Sequence, residues 1–313
     1  MVRSRLTRAF SASLLSVVVL TISPRVSAAQ VTNAAQDSAP ARRASLATIG
    51  AVAGAYYAAS LYLLSQTWYE DRAVVPFHFY NDMDVYLNMD KLGHMFGANL
   101  YSKVGYRALL NAGYSRTTAL YAGATAGLVL MTPIELMDGI HEGYGFSWGD
   151  MAANATGSAL VLGQEMLLGE QVVKLKFSYW DSREARNSNG YLGSNTFERF
   201  VSDYNGQTYW VSVPARRLVG SSRLPAWLNV AVGYSANGMY GERHNATSYL
   251  GVAIPEAVRY RQYFVSLDAD WSKIKTRSRI LRLVLAGLGP LKLPFPALEY
   301  NSQAGLRAHW LYY

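Results

Sequence analysis

The spacing of apolar residues changes near residue 171, and this change restricts the fold of the chain more than any other feature. Before it, small and apolar residues recur at three- and four-residue intervals, which is typical of packed helices. After it, apolar and aromatic residues alternate or run together in five segments, KLKFSYW, TYWVSV, LNVAVGYSA, YRQYFVSLDADW and GLRAHWLYY, which is typical of strands. The sequence therefore predicts an α+β chain. A compact bundle of about four helices covers residues 44–170, and a tyrosine-rich region of antiparallel strands with one further helix, RSRILRLVLAGLG, covers residues 171–313.

The first 29 residues have the three parts of a secretory signal peptide. Basic residues precede an apolar centre at 14–22, and small residues follow at 26–28. Residues 30–43 are polar and small and predict a flexible linker. The chain has no cysteine, so disulfides and thiolate metal sites are excluded. An exported chain without disulfides fits the bacterial cell envelope, and we expect it in the periplasm, at the outer rather than the inner membrane.

The net charge gives no indication of nucleic-acid binding. The formal charge is +8, and removal of the four arginines of residues 1–29 lowers it to about +4. The chain contains no run of basic residues of the kind that nucleic-acid binders carry. We therefore expect a membrane lipid or another envelope component as partner, and no nucleic acid.

Residues 44–69 contain no charged side chain, and a run of this length could cross a bilayer as a helix. Its composition is rich in Ala, Gly, Ser and Tyr, so a buried or interfacial helix competes with a spanning one. Small residues recur four apart in later helical segments, for example Gly123 with Gly127 and Ala153 with Gly157. This spacing predicts close approach of helix backbones. The few strands favour a small sheet packed on the bundle over a closed barrel.

The stretch DKLGHMFGANLYSKVGY places Asp90 and His94 four residues apart, on one face of a predicted helix. They could be a histidine base oriented by a carboxylate, or two ligands of a metal ion. Alternatively, Asp90 caps the helix N-terminus and His94 is an interior histidine with satisfied hydrogen bonds.

A second polar group lies in TPIELMDGIHEGYGFSWGD. Glu135, Asp138 and Glu142 share one face if the helix continues, and like charges so close need a cation, a proton or solvent. A hard metal or a carboxyl with a raised pKa would account for them. Capping boxes that begin at Thr132 and at Ser147 are the structural alternative. Ser147 also fits a nucleophile-elbow pattern, but the chain lacks the parallel-sheet context of such a serine hydrolase.

Several motifs together resemble one known family. The motifs are Asp90-Lys91-Leu92-Gly93-His94, Glu135 with Asp138-Gly139, Phe146-Ser147-Trp148-Gly149-Asp150, Asn154 with Gly157, the segment YNGQTYW from Tyr204 to Trp210 and the segment PFPALE from Pro294 to Glu299. Over residues 85–313 the chain is similar to the uncharacterised bacterial envelope family that includes the YfiM lipoproteins. A fainter architectural similarity links it to VanZ-like membrane proteins.

The resemblance implies export to the envelope, and no activity or cofactor comes with it. This chain lacks the cysteine that the lipoproteins acylate, so any membrane attachment must come from the chain itself. The resemblance also implies that the polar residues of the bundle converge in one buried cluster. Its expected members, which are also the candidate catalytic residues, are Asp90, His94, Glu135, Asp138, Asp150 and Asn154.

We expect a membrane-associated envelope protein in which this cluster has a structural role. The alternative is an enzyme that acts on a lipid-linked or cell-wall substrate and uses the cluster as an acid and base or as a metal site. The candidate metal ligands are His94, Glu135, Asp138 and Glu142.

Overall fold

The computed structural model describes residues 39–313. The predicted signal peptide and residues 30–38 of the predicted linker lie outside the described residues. The chain is α+β, as the sequence predicted. Its helices are α1 (Ala39–Trp68), α2 (Met89–Asn111), α3 (Arg116–Asp138), α4 (Trp148–Leu167), α5 (Arg183–Asn187), α6 (Thr196–Ser202), α7 (Ala215–Leu218) and α8 (Arg279–Gly287).

Helices α2, α3 and α4 pack against one another along most of their lengths. Two glycines allow the contact. A Cβ on Gly127 of α3 would lie 1.9 Å from the Ala98 carbonyl oxygen of α2, and a Cβ on Gly157 of α4 would lie 2.1 Å from the Met95 carbonyl oxygen. The close approach that the small-residue spacing predicted is therefore confirmed for this trio.

Helix α3 runs without interruption through Pro133. The predicted capping box that begins at Thr132 is therefore wrong, and Glu135 is free for another role. Among the described residues, α3 is the one helix that is long and apolar enough to cross a membrane, and a third of its apolar window is buried inside the fold.

Helix α1 packs less extensively. The hydroxyl of Tyr57 donates to the Leu130 carbonyl of α3, and its ring meets the edge of Tyr101 on α2. Side chains such as Tyr62 remain exposed on its other side. The helix begins at Ala39, so the last residues of the segment predicted as a linker are helical.

The second half of the chain forms an antiparallel sheet of six strands in the order β1-β2-β3-β6-β7-β8, with a separate short hairpin. The strands are β1 (Lys174–Tyr179), β2 (Gln207–Pro214), β3 (Leu228–Asn237), β4 (Ser248–Tyr249), β5 (Val252–Ala253), β6 (Tyr260–Ala269), β7 (Phe295–Asn301) and β8 (Gly305–Tyr312). The predicted strands and the late helix are present. Strand β7 was not predicted, because prolines at 294 and 296 interrupt its alternating pattern.

The two faces of this sheet have the reverse of the usual polarity. One face is enclosed, and on it the ring of Tyr312 packs against Trp210 and Phe264. Polar groups are buried on that side, including the ion pair of Lys176 with Asp268, whose side chains are fully buried and 2.7 Å apart. The enclosed side of the sheet is therefore held by polar contacts as much as by apolar packing.

The outer face of the sheet is apolar. Two rows cross it in register: Val211, Val232, Val265 and Leu298 form one, and Tyr209, Tyr234, Tyr263 and Tyr300 form the other. On β6 and β7 the members of these rows are each about half exposed. At the β1–β2 end, helix α2 covers the outer face, and the ring of Phe96 lies against the rings of Phe177 and Tyr209. The bundle therefore covers one end of the apolar face, and the β6–β8 end remains open.

Candidate functional site

Lys91, in the first turn of α2, is the centre of the polar cluster. Its ammonium Nζ lies 2.8 Å from Asp82 Oδ2, 3.1 Å from Asp90 Oδ2 and 2.8 Å from Asp150 Oδ1. These carboxylates come from the loop before α2, from α2 itself and from α4. Because the side chains are almost completely buried, the ion pairs are weakly screened by solvent. A single ammonium thus links three segments of the chain.

His94 lies one turn further along α2 and completes the cluster. Its Nδ1 is 3.3 Å from Asn154 Oδ1 and 3.4 Å from Glu135 Oε1. Its Nε2 is 3.9 Å from Asp150 Oδ1 and 4.0 Å from Asp90 Oδ1. The imidazole therefore contacts side chains of both neighbouring helices, α3 and α4, as the resemblance implied.

Asp90 does not cap its helix, which corrects the structural alternative considered for it. The N-cap of α2 is Asn88, in a left-handed conformation and without a side-chain cap. Asp90 lies in the first turn, where its Oδ1 accepts a hydrogen bond from the Tyr204 hydroxyl at 2.6 Å. Tyr204 belongs to the β-rich half of the chain, so this bond joins the two halves.

Ser147 is a genuine N-cap, since its Oγ accepts a hydrogen bond from the Asp150 amide at 3.0 Å. The second half of the predicted capping box is absent. In a capping box the Asp150 carboxylate would accept a hydrogen bond from the Ser147 amide. Here Glu135 of α3 accepts that hydrogen bond instead, at 3.2 Å. The Ser147 hydroxyl itself donates to Asp82. The Asp150 carboxylate is thereby released to pair with Lys91, and Ser147 is not placed as a nucleophile.

Asp138 and Glu142 lie apart from the centre. Helix α3 ends at Asp138, so the predicted face of three carboxylates does not form, and Glu142 is exposed in the following turn. The Tyr69 hydroxyl donates to Asp138 at 2.5 Å, and the Tyr69 ring stacks on His141. Asp138 thus anchors the end of the N-terminal helical segment to the bundle.

The buried carboxyl groups of the cluster differ in the direction in which their pKa values are shifted. Burial, and next the negative charge of Asp138, raise the pKa of Glu135 to about 8. Burial, and next the charge of Asp90, raise the pKa of Asp150, whereas the Lys91 ammonium at 2.8 Å favours its ionised form. Burial also acts on Asp90, but His94 and Lys91 outweigh it and hold its pKa below the ordinary value. Asp90 is therefore ionised at neutral pH, whereas Glu135 holds a proton.

Burial and neighbouring charges also shift the pKa values of the other titratable groups in and beside the cluster. Burial lowers the pKa of His94, which favours the neutral imidazole at neutral pH. Burial opposes the charge of Lys91, yet Asp90 and Asp150 raise its pKa above the ordinary value. Burial also raises the pKa of Asp138, to about 7. The centre therefore contains one permanent cation with the ionised carboxylates around it.

A metal ion has one plausible set of ligands within the described residues. Atoms of Asp90, His94 and Asp150 all lie within 4.8 Å of one another. The oxygen of Asp150 that faces His94 is the oxygen that Lys91 approaches to 2.8 Å. A cation in this position would have to displace the ammonium.

Three buried polar atoms of the cluster have no hydrogen-bond partner: Glu135 Oε1, Asn154 Nδ2 and Asp150 Oδ1, the last of which is ion-paired with Lys91. The Asn154 amide oxygen can only accept, so His94 donates to it from Nδ1–H at 3.3 Å. Protonation of Glu135 removes the negative charge from its buried Oε1, which lies 3.4 Å from the same nitrogen. The arrangement can therefore hold a proton on Glu135 beside a neutral His94.

Sequence reasoning found Asp90, His94, Glu135, Asp150 and Asn154 and missed other members of the cluster. The missed residues are Asp82, Lys91 and Tyr204. Lys91 carried a signal, because a lysine beside two helical polar residues in a small, apolar segment needs buried counter-ions. Tyr204 and Asp82 carried none, since only tertiary folding brings them to α2.

Comparison with known proteins supports the family resemblance over part of the chain. Residues 78–163 match the model of a family described as "predicted periplasmic lipoprotein (DUF2279)", which has no established function. This segment contains α2, α3, most of α4 and the charged residues at the centre of the cluster. The description of the family supports an exported protein of the cell envelope. No curated protein and no solved structure matches the chain.

Proposed function

We propose that this chain is a membrane-associated protein of the cell envelope, and that its buried polar cluster is a structural joint rather than a catalytic site. The outer face of the sheet provides the membrane contact. The cluster fixes the bundle on that sheet.

The observation that supports a membrane contact is the reversed polarity of the sheet, whose exposed outer face is apolar. On β7 and β8, Leu298, Tyr300, Leu306 and Trp310 are between 51% and 89% exposed. Contiguous apolar surface of this kind marks a contact with protein or lipid. The row of tyrosines beside the aliphatic row matches the preference of such amphipathic rings for the membrane–water interface. Lipid is therefore the best-matched partner for this face.

The contacts of Lys91 support the structural role of the cluster. Its ammonium fills the place where a metal ion would bind, and its three carboxylate partners come from separate segments. Together with the Tyr204 hydroxyl on Asp90, the ion pairs tie the loop before α2, helix α4 and the β-rich half to α2. Loss of one partner from such a buried ion pair leaves an uncompensated charge, which strongly destabilises a fold.

Vesicle flotation tests the membrane contact. The protein should float with phosphatidylcholine vesicles, and the double variant Leu298→Asn/Leu306→Asn should remain in the soluble fraction with an unchanged melting temperature. Ser222→Asn, at an exposed turn, is the matched control. Flotation of the double variant at the wild-type level would refute the contact.

Metal analysis with thermal unfolding tests the structural role. Protein purified without chelators should contain less than one tenth of an equivalent of any transition metal, and Asp150→Asn should lower the melting temperature. A stoichiometric metal that is lost in Asp150→Asn, with the melting temperature retained, would show that the cluster is a metal site and refute its structural role.

An enzyme acting on a lipid-linked or cell-wall substrate is the second candidate. The observation in its favour is the pair of His94 and Glu135, whose facing atoms are 3.4 Å apart in a site that also contains Asp90 and Asp150. The side chain of Glu135 is fully buried and that of His94 is 11% exposed, so a substrate would need the site to open. His94→Gln would then abolish a function of the protein in the cell without lowering its stability, whereas the structural joint predicts a loss of stability.

A further inference from the structure

A cavity of about 400 Å³ lies between α2 and the outer face of the sheet. Leu92, Met95 and Phe96 of α2 form one wall, and the side chains of Val232 and Val265 lie in the other. Its volume is within the range of small-molecule sites in proteins. Its walls are almost wholly apolar, so it suits a chain of methylene groups better than a peptide, whose amides would lose their hydrogen bonds there.

The cavity opens toward the surface that we propose to contact the membrane. Tyr263 and Val265 line the cavity, and each is also about half exposed on the outer face of the sheet. In register with them, Tyr300 and Leu298 continue the same apolar rows on β7. An acyl chain could therefore enter from the bilayer without crossing water.

A second, smaller cavity of about 80 Å³ adjoins the first along the same face of α2. Phe96 and Leu175 line both cavities. About two and three turns beyond Phe96, the wall of the small cavity changes from apolar to basic, with Lys103 and Arg107 on α2 and Lys174 opposite them. Together the two cavities form a groove, here called the α2 groove, which is apolar at one end and cationic at the other.

The cationic end of the α2 groove is incompletely neutralised. Asp270 is the nearby acid, and it pairs with Lys174 at 2.5 Å and with Ser272 at 2.6 Å. Among the described residues, no hydrogen bond or ion pair reaches the ammonium of Lys103. Burial, and next the charges of Lys174 and Arg107, lower the pKa of Lys103 to about 7. An anion at this position would relieve the repulsion between the three cations.

We propose that the α2 groove binds one anionic phospholipid, with an acyl chain in the apolar cavity and the phosphate at Lys103 and Arg107. The proposal rests on the membrane association proposed above, because that association brings the groove to the lipid. It adds a specific, stoichiometric site to a general contact with the bilayer.

Binding of short-chain lipids to the purified full chain tests the proposal. We expect dihexanoyl phosphatidylglycerol, below its micelle concentration, to bind with a 1:1 stoichiometry at least tenfold more tightly than dihexanoyl phosphatidylcholine. Glycerol phosphate, which has the charge without the chains, should bind at least tenfold more weakly than the phosphatidylglycerol. Equal affinity for the two lipids, or equal affinity for the lipid and glycerol phosphate, would overturn the proposal.

Variants assign the binding to the α2 groove. Lys103→Gln should remove most of the preference for phosphatidylglycerol, and Lys275→Gln, an exposed lysine outside the groove, should leave it unchanged. Val232→Phe should weaken binding of both lipids by filling the cavity. If Val232→Phe does not fold, Val265→Phe from the same wall replaces it. Unchanged lipid preference in Lys103→Gln would overturn the assignment.

These outcomes separate the groove from the membrane contact. If the Leu298→Asn/Leu306→Asn variant stops floating but still binds one phosphatidylglycerol, the contact and the groove are both supported. If the wild-type protein floats and shows no lipid preference, the groove proposal fails and the membrane contact stands. If the wild-type protein does not float, the proposed membrane association itself fails.

Discussion

Lys91 supplies the positive charge that allows several carboxyl groups to lie close together at one end of the bundle. Without it, the ionised carboxylates of Asp82 and Asp90 would face each other and Asp150 in a site that excludes water. An unpaired buried charge destabilises a fold far more than a buried pair stabilises it.

Replacement of Lys91 by methionine should therefore lower the free energy of unfolding by about 3 kcal/mol, the usual loss when a buried ion pair is broken from one side. Urea unfolding followed by circular dichroism measures the change. Arg217→Met is the matched control, because Arg217 pairs with Glu170 at the surface. An exposed pair contributes less than about 1 kcal/mol. Equal effects of the two substitutions would contradict the central position of Lys91.

The proton on Glu135 should make stability depend on pH. The pKa of Glu135 is about 8 in the folded protein against 4.5 for an unperturbed glutamate, chiefly because the side chain is buried. Between these values the folded protein holds a proton that the unfolded chain has released. The free energy of unfolding therefore falls as pH rises from about 4.5 to about 8 and changes little from this group outside that window.

Glu135→Gln should flatten this decline, since the amide resembles the protonated carboxyl and cannot release a proton. Melting temperatures at intervals between pH 4.5 and pH 8 measure the slope, and Glu256→Gln, at an exposed loop position, is the control. The pKa of Asp138 is also raised, to about 7, so this group too makes the free energy of unfolding fall as pH rises to that value. Some slope therefore remains in the variant. Parallel curves for wild type and Glu135→Gln would show that Glu135 is ionised in the folded protein.

At the scale of secondary-structure elements, the contact between α2 and its two neighbours depends on positions where a side chain would collide with backbone. The Cβ of an alanine at position 157 would lie 2.1 Å from the Met95 carbonyl oxygen, which cannot move without displacing α2. In the same helix, a Cβ at Gly163 would meet nothing within 4 Å.

Gly157→Ala should therefore lower the free energy of unfolding by about 2 kcal/mol, as overpacking does in a dense core. Gly163→Ala should raise it by about 0.5 to 1 kcal/mol, because alanine has the higher helix propensity. Chemical unfolding of both variants measures the difference. Stabilisation by both substitutions would mean that α4 does not approach α2 as closely as described.

The elements were largely predictable from sequence, and the exceptions have physical causes. Period-two alternation identified β1, β2, β3, β6 and β8, but prolines concealed β7. The capping box predicted at Thr132 would have begun a helix at Pro133, yet α3 passes through that residue. Packing against α2 and α4 holds the helix together there, which local sequence preferences do not reveal.

The site was predictable only in part, because residues four apart on a helix can be recognised from sequence and contacts between distant segments cannot. The spacing of Asp90 and His94 placed them on one face of α2. The bond from Tyr204 to Asp90 spans more than a hundred residues and had no local signal. A cap of its own helix was one alternative for Glu135, which instead accepts a hydrogen bond from the amide of Ser147, the N-cap of α4.

At the scale of the whole molecule, the polar cluster and the apolar outer face act together. The cluster joins α2 to the β-rich half through Tyr204, and α2 in turn covers one end of the outer face. The uncovered end, formed by β6, β7 and β8, is the surface that we propose to meet lipid. Reversed polarity of a sheet is stable when the enclosed face is satisfied by hydrogen bonds, as Gln262, Asn301 and His309 satisfy Glu299 here.

The most direct test of this account measures the environment of the outer face when membranes are added. The chain has no cysteine, so a single cysteine introduced by Leu298→Cys can carry an environment-sensitive bimane fluorophore, with Ser222→Cys as the control. On addition of phosphatidylcholine vesicles, we expect a blue shift of emission and protection from an aqueous quencher at position 298, and no change at position 222. An unchanged spectrum and full quenching at position 298 would contradict the proposal that the outer face of the sheet contacts the membrane.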